Sequence, residues 1–156
     1  MNYLLINGWQ AHITFSASHI IPDYNLCGRL HGHTYAIHAK VYGPKGKESI
    51  IIDFGKLKAA LKAVAEELDH KMLIPVRSKT VKVKGEHIEM AVGSKNYLFP
   101  LEDCALLDIG SSSAETLSEY VLEKVRKAVP KTITKIEVGI DEGVGQGAWA
   151  VWEKAQ

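Results

Sequence analysis

Residues 27–43 read C-G-R-L-H-G-H-T-Y-A-I-H-A-K-V-Y-G. From Gly32 to Gly43 the run is rich in Thr, Tyr, Ile and Val with near-alternating polarity, which predicts a half-buried strand. Residues two apart in a strand point the same way, so His31 and His33 share a face with Tyr35, Ile37, Ala39 and Val41. A second such stretch, Ala11 to His19, precedes it across a loop marked by Pro22-Asp23-Tyr24-Asn25. If the two strands pair, His19, in phase with Phe15 and Ala17, joins the other two imidazoles. That face is apolar, so bare imidazoles need partners there, and a shared metal satisfies them together. Three neutral imidazoles with one open position is the composition of a catalytic zinc site. The competing reading is that all three are ordinary core or surface histidines. His12, His38 and His87 have no such company, and His38 falls on the opposite, polar face.

Outward from this pair of strands the pattern continues. Ser49 to Ile52 gives a short apolar strand, and Asp53 is a good N-cap. Phe54, Leu57, Leu61, Val64 and Leu68 then trace an amphipathic helix over 54–68. Ser112-Ser113-Ala114-Glu115 has the S-x-x-E form of a capping box, opening a second helix that runs to Pro130. Thr80 to Lys84 and His87 to Val92 alternate around Gly85-Glu86 as a hairpin. Ile133 to Glu142 and Ala148 to Glu153 are two closing strands joined by a glycine-rich loop. The order of elements predicts an α+β fold with a mainly antiparallel sheet and helices on one face.

At 156 residues the chain suits one domain, able to bury roughly two thirds of its unfolded surface. A net charge of +1 gives no global field for nucleic acid or an anionic membrane. The apolar runs fall well short of the about 20 residues of a membrane helix, and the start M-N-Y-L-L-I-N-G lacks a signal-peptide pattern, so a cytoplasmic protein is expected. Its two cysteines, Cys27 and Cys104, are expected to be reduced thiols.

Three further places carry chemistry. Cys27, four residues before His31, can be an activated thiol, a fourth metal ligand or a small buried hydrophobe. Asp69-His70 follows the first helix, where a carboxylate can orient an imidazole; the alternative is a C-capping histidine beside a solvated aspartate. Glu142 stands next in the core-facing row Ile136, Val138 and Ile140, so it either frays into solvent or awaits a cationic or amide-rich ligand.

The segments F-S-A-S-H (15–19), C-G-R-L-H-G-H (27–33), I-I-D-F-G-K-L-K (51–58), L-D-H (68–70), S-A-E (113–115) and D-E-G (141–143), in that order, resemble the 6-pyruvoyltetrahydropterin synthase / 6-carboxytetrahydropterin synthase family. The resemblance covers nearly the whole chain apart from residues 76–108. It implies the tunnelling fold (T-fold), a four-stranded antiparallel sheet with two helices on one face, to which the chain adds a hairpin at about 79–92. It also implies a homohexamer, a dimer of trimers, with active sites at subunit interfaces.

By the same resemblance His19, His31 and His33 would be zinc ligands, and Cys27, Asp69 and His70 proton-transfer groups, the last two reaching a neighbouring subunit's zinc. Glu142 would anchor the pterin ring, with Ser113 and Glu115 lining its pocket. The activity most strongly implied is conversion of 7,8-dihydroneopterin triphosphate to 6-carboxy-5,6,7,8-tetrahydropterin, acetaldehyde and triphosphate, on the way to queuosine or archaeosine. The alternatives are 6-pyruvoyltetrahydropterin synthesis from the same substrate and a non-catalytic zinc- or pterin-binding oligomer. A third relative, serving folate synthesis, typically has glutamate at the Cys27 position. Two departures stand out: Ser111 to Ala114 replaces a more usual Pro-Thr-Ser, and the Gly143 to Gly147 loop is richer in glycine than the usual turn, which could shift Glu142 by a residue.

Overall fold

A computed structural model describes residues 2–155. Its strands are β1 (Tyr3–Ile6), β2 (Thr14–His19), β3 (His31–Tyr42), β4 (Lys71–Pro75), β5 (Val81–Lys84), β6 (His87–Val92), β7 (Lys95–Pro100), β8 (Cys104–Leu107), β9 (Lys135–Asp141) and β10 (Gly147–Glu153), with helices α1 (Phe54–Leu68) and α2 (Ala114–Ala128). The fold is α+β. The four expected strands lie side by side as β10-β9-β3-β2, every pair antiparallel. β1 pairs with the upper part of β3, and β4 and β8 extend the sheet beyond β2 in parallel.

The alternation in β2, β3 and β9 decides what is buried. Phe15, Tyr35, Ile37, Val41, Ile136, Val138 and Ile140 share one core with Leu57, Leu61 and Leu68 of α1 and Leu117, Val121 and Val125 of α2. Each such side chain contributes about 1.5–3 kcal/mol when fully buried. Both helices are fixed at their starts by their caps. Asp53 Oδ1 accepts the Lys56 N–H at 3.0 Å. The cap of α2 is Ser113 rather than Ser112, its Oγ accepting the Thr116 N–H at 3.4 Å. Glu115 thus stands one place earlier than a capping box requires, in the first turn where the helix dipole favours a carboxylate.

β4 is apolar on both faces for a reason visible in its contacts. Leu73 belongs to the helix-side core, whereas Met72 and Ile74 pack with Ile20 against Ile88, Met90 and Val92 on the other side. A strand covered on both faces loses the polar alternation of its neighbours. The expected hairpin is present as β5–β6, and β7 extends it into a three-stranded antiparallel sheet that supplies this second cover. The strand expected at 49–52 does not form. Glu48 and Ser49 take left-handed φ values of 55° and 58°, which a strand cannot accommodate, and Ile51 and Ile52 pack onto the core from an irregular segment. Among the described residues no helix is long and apolar enough to cross a membrane.

Candidate functional site

The β2–β3 register sets His19 opposite His31 and Ala17 opposite His33, so the three imidazoles meet on the helix side of the sheet. Their ring centroids are 4.6, 5.0 and 5.1 Å apart. His19 Nδ1 lies 2.9 Å from the Ser112 carbonyl oxygen, and His31 Nδ1 lies 2.7 Å from that of Arg29. A carbonyl only accepts, so both Nδ1 atoms carry the proton and both Nε2 atoms present lone pairs. Those two Nε2 atoms face each other at 3.0 Å, a repulsive arrangement that a cation between them resolves. His33 Nε2 is buried with no hydrogen-bond partner, and one ligand atom from each histidine lies within 4.8 Å of the others.

Burial lowers the His19 pKa to about 4 and that of His33 below its usual value, His31 reinforcing both shifts. Neutral imidazoles, each held by its second nitrogen, are the form in which histidine binds a metal. The donor set therefore fits zinc, whose nitrogen ligands lie at about 2.0–2.1 Å.

Glu142 follows the last residue of β9 and keeps the phase of Ile140. Its Oε1 is 3.8 Å from His19 Nε2 and its Oε2 3.9 Å from His33 Nε2. The glycine-rich turn does not displace it: Gly143 and Gly145 adopt φ of 104° and 89°, and the Glu142 N–H donates to the Gln146 carbonyl at 3.0 Å. Burial pushes the Glu142 carboxyl above the usual carboxylate range, His31 opposes this, and Glu115 adds to it. Such a half-buried carboxylate gains most from a ligand that donates N–H groups.

A cavity of about 430 Å³ opens beside these groups, lined by His19, Ile21, Tyr24, Cys27, Ser113, Glu115, Glu142 and Gln146. Cys27 sits in a 3-10 turn over Asn25–Gly28 and is exposed, which rules out the buried-hydrophobe reading. It is not part of the converging histidine group. Cys104 is half-buried, its Sγ donating to the Pro100 carbonyl at 3.3 Å, and burial raises its pKa. A larger groove of about 830 Å³ between α1 and α2 is lined by surface ion pairs such as Lys124–Glu67 and offers no comparable chemistry.

Asp69 and His70 lie elsewhere. Asp69 Oδ1 accepts the Ser16 N–H at 2.8 Å, a bond that holds its carboxyl below the usual range, and Oδ2 is 2.9 Å from His70 Nδ1. The His70 side chain is 84% exposed and borders a separate groove with Ser16, Ser18, Thr34 and Lys71. Within one chain His70 and Cys27 therefore line different cavities.

Sequence reasoning missed several partners. The carbonyls of Ser112 and Arg29 fix the imidazoles, and a backbone acceptor leaves no trace in residue type. Tyr24 and Gln146 wall the cavity from loops. His38, expected to be unaccompanied on a polar face, is instead buried, with Nδ1 accepting the Gly8 N–H at 3.0 Å and Nε2 3.1 Å from Asp141 Oδ2. The segment 7–13 folds over that face; only the phase of His38 with Lys40 and Asp141's place in D-E-G hinted at it.

Comparison with known proteins identifies the family. The pattern of the family 6-pyruvoyl tetrahydropterin synthase matches residues 10–154. A Methanocaldococcus jannaschii protein provisionally named 6-carboxy-5,6,7,8-tetrahydropterin synthase is 35% identical over 125 residues, 78% of this chain and 77% of its own. The 6-carboxy-5,6,7,8-tetrahydropterin synthase of Aquifex aeolicus is 27% identical over 123 residues, 76% and 70% of the two chains. The structure of Plasmodium falciparum 6-pyruvoyl tetrahydropterin synthase superposes with a TM-score of 0.88 at 27% identity, covering 97% of this chain and 98% of that one. With a match that spans nearly its full length, the chain belongs to the 6-pyruvoyl tetrahydropterin synthase family.

Proposed function

We propose that this protein is a zinc-dependent 6-carboxy-5,6,7,8-tetrahydropterin synthase, converting 7,8-dihydroneopterin triphosphate to 6-carboxytetrahydropterin, acetaldehyde and triphosphate in 7-deazaguanine (queuosine or archaeosine) synthesis. The observation that carries it is the pair of Nε2 lone pairs of His19 and His31 facing each other at 3.0 Å, beside a cavity that also holds Cys27, Glu115 and Glu142. The names of the M. jannaschii and A. aeolicus relatives favour this product.

His19, His31 and His33 would hold the zinc, which when bound would supply Lewis acidity to the substrate's side chain. The chain's own residues do the rest. Glu142 accepts two N–H groups of the pterin edge, the ring amide and the exocyclic amine, in bidentate fashion. Ser113 and Glu115 border that end of the cavity. Cys27, exposed in the same cavity, takes a proton from the substrate side chain as thiolate. Asp69 fixes His70 through Nδ1, leaving Nε2 to move the second proton. Within one chain His70 lines a groove that lacks Cys27, although His33 borders it too; in a homohexamer, a dimer of trimers, it would serve a neighbouring subunit's site. Both cysteines are free, in keeping with a cytoplasmic protein.

The likeness to P. falciparum 6-pyruvoyl tetrahydropterin synthase supports a second reading, triphosphate elimination from the same substrate without release of acetaldehyde. Incubation of zinc-replete protein with 7,8-dihydroneopterin triphosphate, with products identified by mass, separates the two. Acetaldehyde with 6-carboxytetrahydropterin is the expected result. A pyruvoyl product would assign the second reading, and no turnover would leave a zinc- or pterin-binding oligomer.

A further inference from the structure

Behind the site, on the sheet face turned away from the helices, a polar cluster ends one residue from Glu142. His38 is buried, and because its Nδ1 accepts the Gly8 N–H at 3.0 Å, the ring proton resides on Nε2, which lies 3.1 Å from Asp141 Oδ2 in a close polar contact without hydrogen-bond geometry. The same Oδ2 accepts the Trp9 indole N–H at 2.8 Å. The fit is close: a Cβ on Gly8 would run into the Ile37 carbonyl, and one on Gly147 into Asp141 Oδ1.

Asp141 is the last residue of β9, paired on both sides with Ala36 and Gly147. The next residue turns to the opposite face and is Glu142. Beyond it, the turn is bonded only within itself, through Glu142 N–H to the Gln146 carbonyl and Gln146 Nε2 to the Glu142 carbonyl, with two glycines at positive φ. Among the described residues the turn thus holds Glu142 through its bond to Gln146 beside β10, and the β9 side supplies the other backbone anchor.

We infer that Trp9, His38 and Asp141 are positioning residues, which hold the end of β9 from behind the sheet and thereby set where the Glu142 carboxylate meets its ligand. The inference rests on the proposed pterin-binding role of Glu142. It also places the specificity of the site partly in residues that never touch the ligand, as supporting shells commonly do.

Trp9→Phe removes the N–H donor and keeps an aromatic, though smaller, side chain. The test measures binding of 7,8-dihydroneopterin to the zinc-loaded protein by fluorescence titration, alongside zinc content, KM and kcat. Trp9→Phe is expected to weaken binding and raise KM about 10-fold, with zinc content and kcat nearly unchanged. In a Glu142→Gln background the same substitution should add nothing, because the two act through one contact. His38→Ala should weaken binding in the same direction but less than Trp9→Phe, because Trp9 hydrogen-bonds Asp141 and His38 only packs against it. Equal losses in both backgrounds, or no loss from Trp9→Phe where Glu142→Gln does weaken binding, would overturn the positioning role alone. Unchanged binding in Glu142→Gln would overturn the reading of Glu142 itself and the inference with it.

Discussion

β3 carries histidines on both faces, and the protein answers them differently. On the helix side, His19 and His31 give their Nδ1 protons to carbonyls and are left with Nε2 lone pairs 3.0 Å apart, with an unpartnered His33 Nε2 beside them. On the other side, His38 has a backbone N–H on one nitrogen and a carboxylate 3.1 Å from the other. A histidine whose lone pair already accepts a backbone N–H is a strut. Imidazoles whose free lone pairs converge are waiting for a cation. The same strand can hold both because a period of two separates them completely.

The largest effect should come from removing a lone pair on the first face. His31→Ala is expected to lose bound zinc and to lower turnover by about 10³-fold or more, as several kcal/mol of charge stabilisation go with the metal. His38→Ala should keep its zinc, as metal analysis of the two purified variants would show; zinc loss from both would erase the contrast. Next, Cys27→Ala should lower kcat about 10²-fold or more while retaining zinc and fold, which a steady-state assay with parallel metal analysis checks. Loss of metal there would make Cys27 a fourth ligand. Glu142→Gln should raise KM by about 10- to 100-fold with little change in thermal stability, since it replaces an acceptor bonded to donors of the ligand.

Two smaller effects concern stability. Gly8→Ala forces a Cβ against the Ile37 carbonyl and should cost about 2 kcal/mol, seen as a lower Tm with zinc content intact. In chelator-treated protein, His19 holds a pKa of about 4 against 6.5 in the unfolded chain. The unfolded state therefore takes up the proton first as pH falls. Stability, full above pH 6.5, should decline between about pH 6.5 and pH 4, as denaturant titrations across that range would record.

Much of this was legible in the sequence where periodicity is strong. The stripe from Phe54 to Leu68 marks α1 at both ends, and the phase of His31, His33 and Tyr35 puts the two imidazoles on the core side. Register was not legible. The parallel pairing of β2, β4 and β8 depends on which strand edges remain open, and β7 has too little burial to alternate clearly. The apolar run at Ile50–Ile52 looked like a strand because burial alone produces such a run, and the left-handed backbone of Glu48 and Ser49 has no mark in residue type. For the site, the histidines and Glu142 could be read from phase. The partners of His38 could not, because Gly8 reaches it from 30 positions away and Asp141 from the neighbouring strand.

In the proposed site three histidines hold a zinc ion with one position left open. X-ray absorption at the zinc edge, on protein purified with one zinc per chain, tests it most directly. Three nitrogen neighbours and one further oxygen or nitrogen at about 2.0–2.1 Å, with no sulfur shell, are expected, unchanged in His38→Ala. A sulfur neighbour at about 2.3 Å, or protein that retains no zinc, would contradict it.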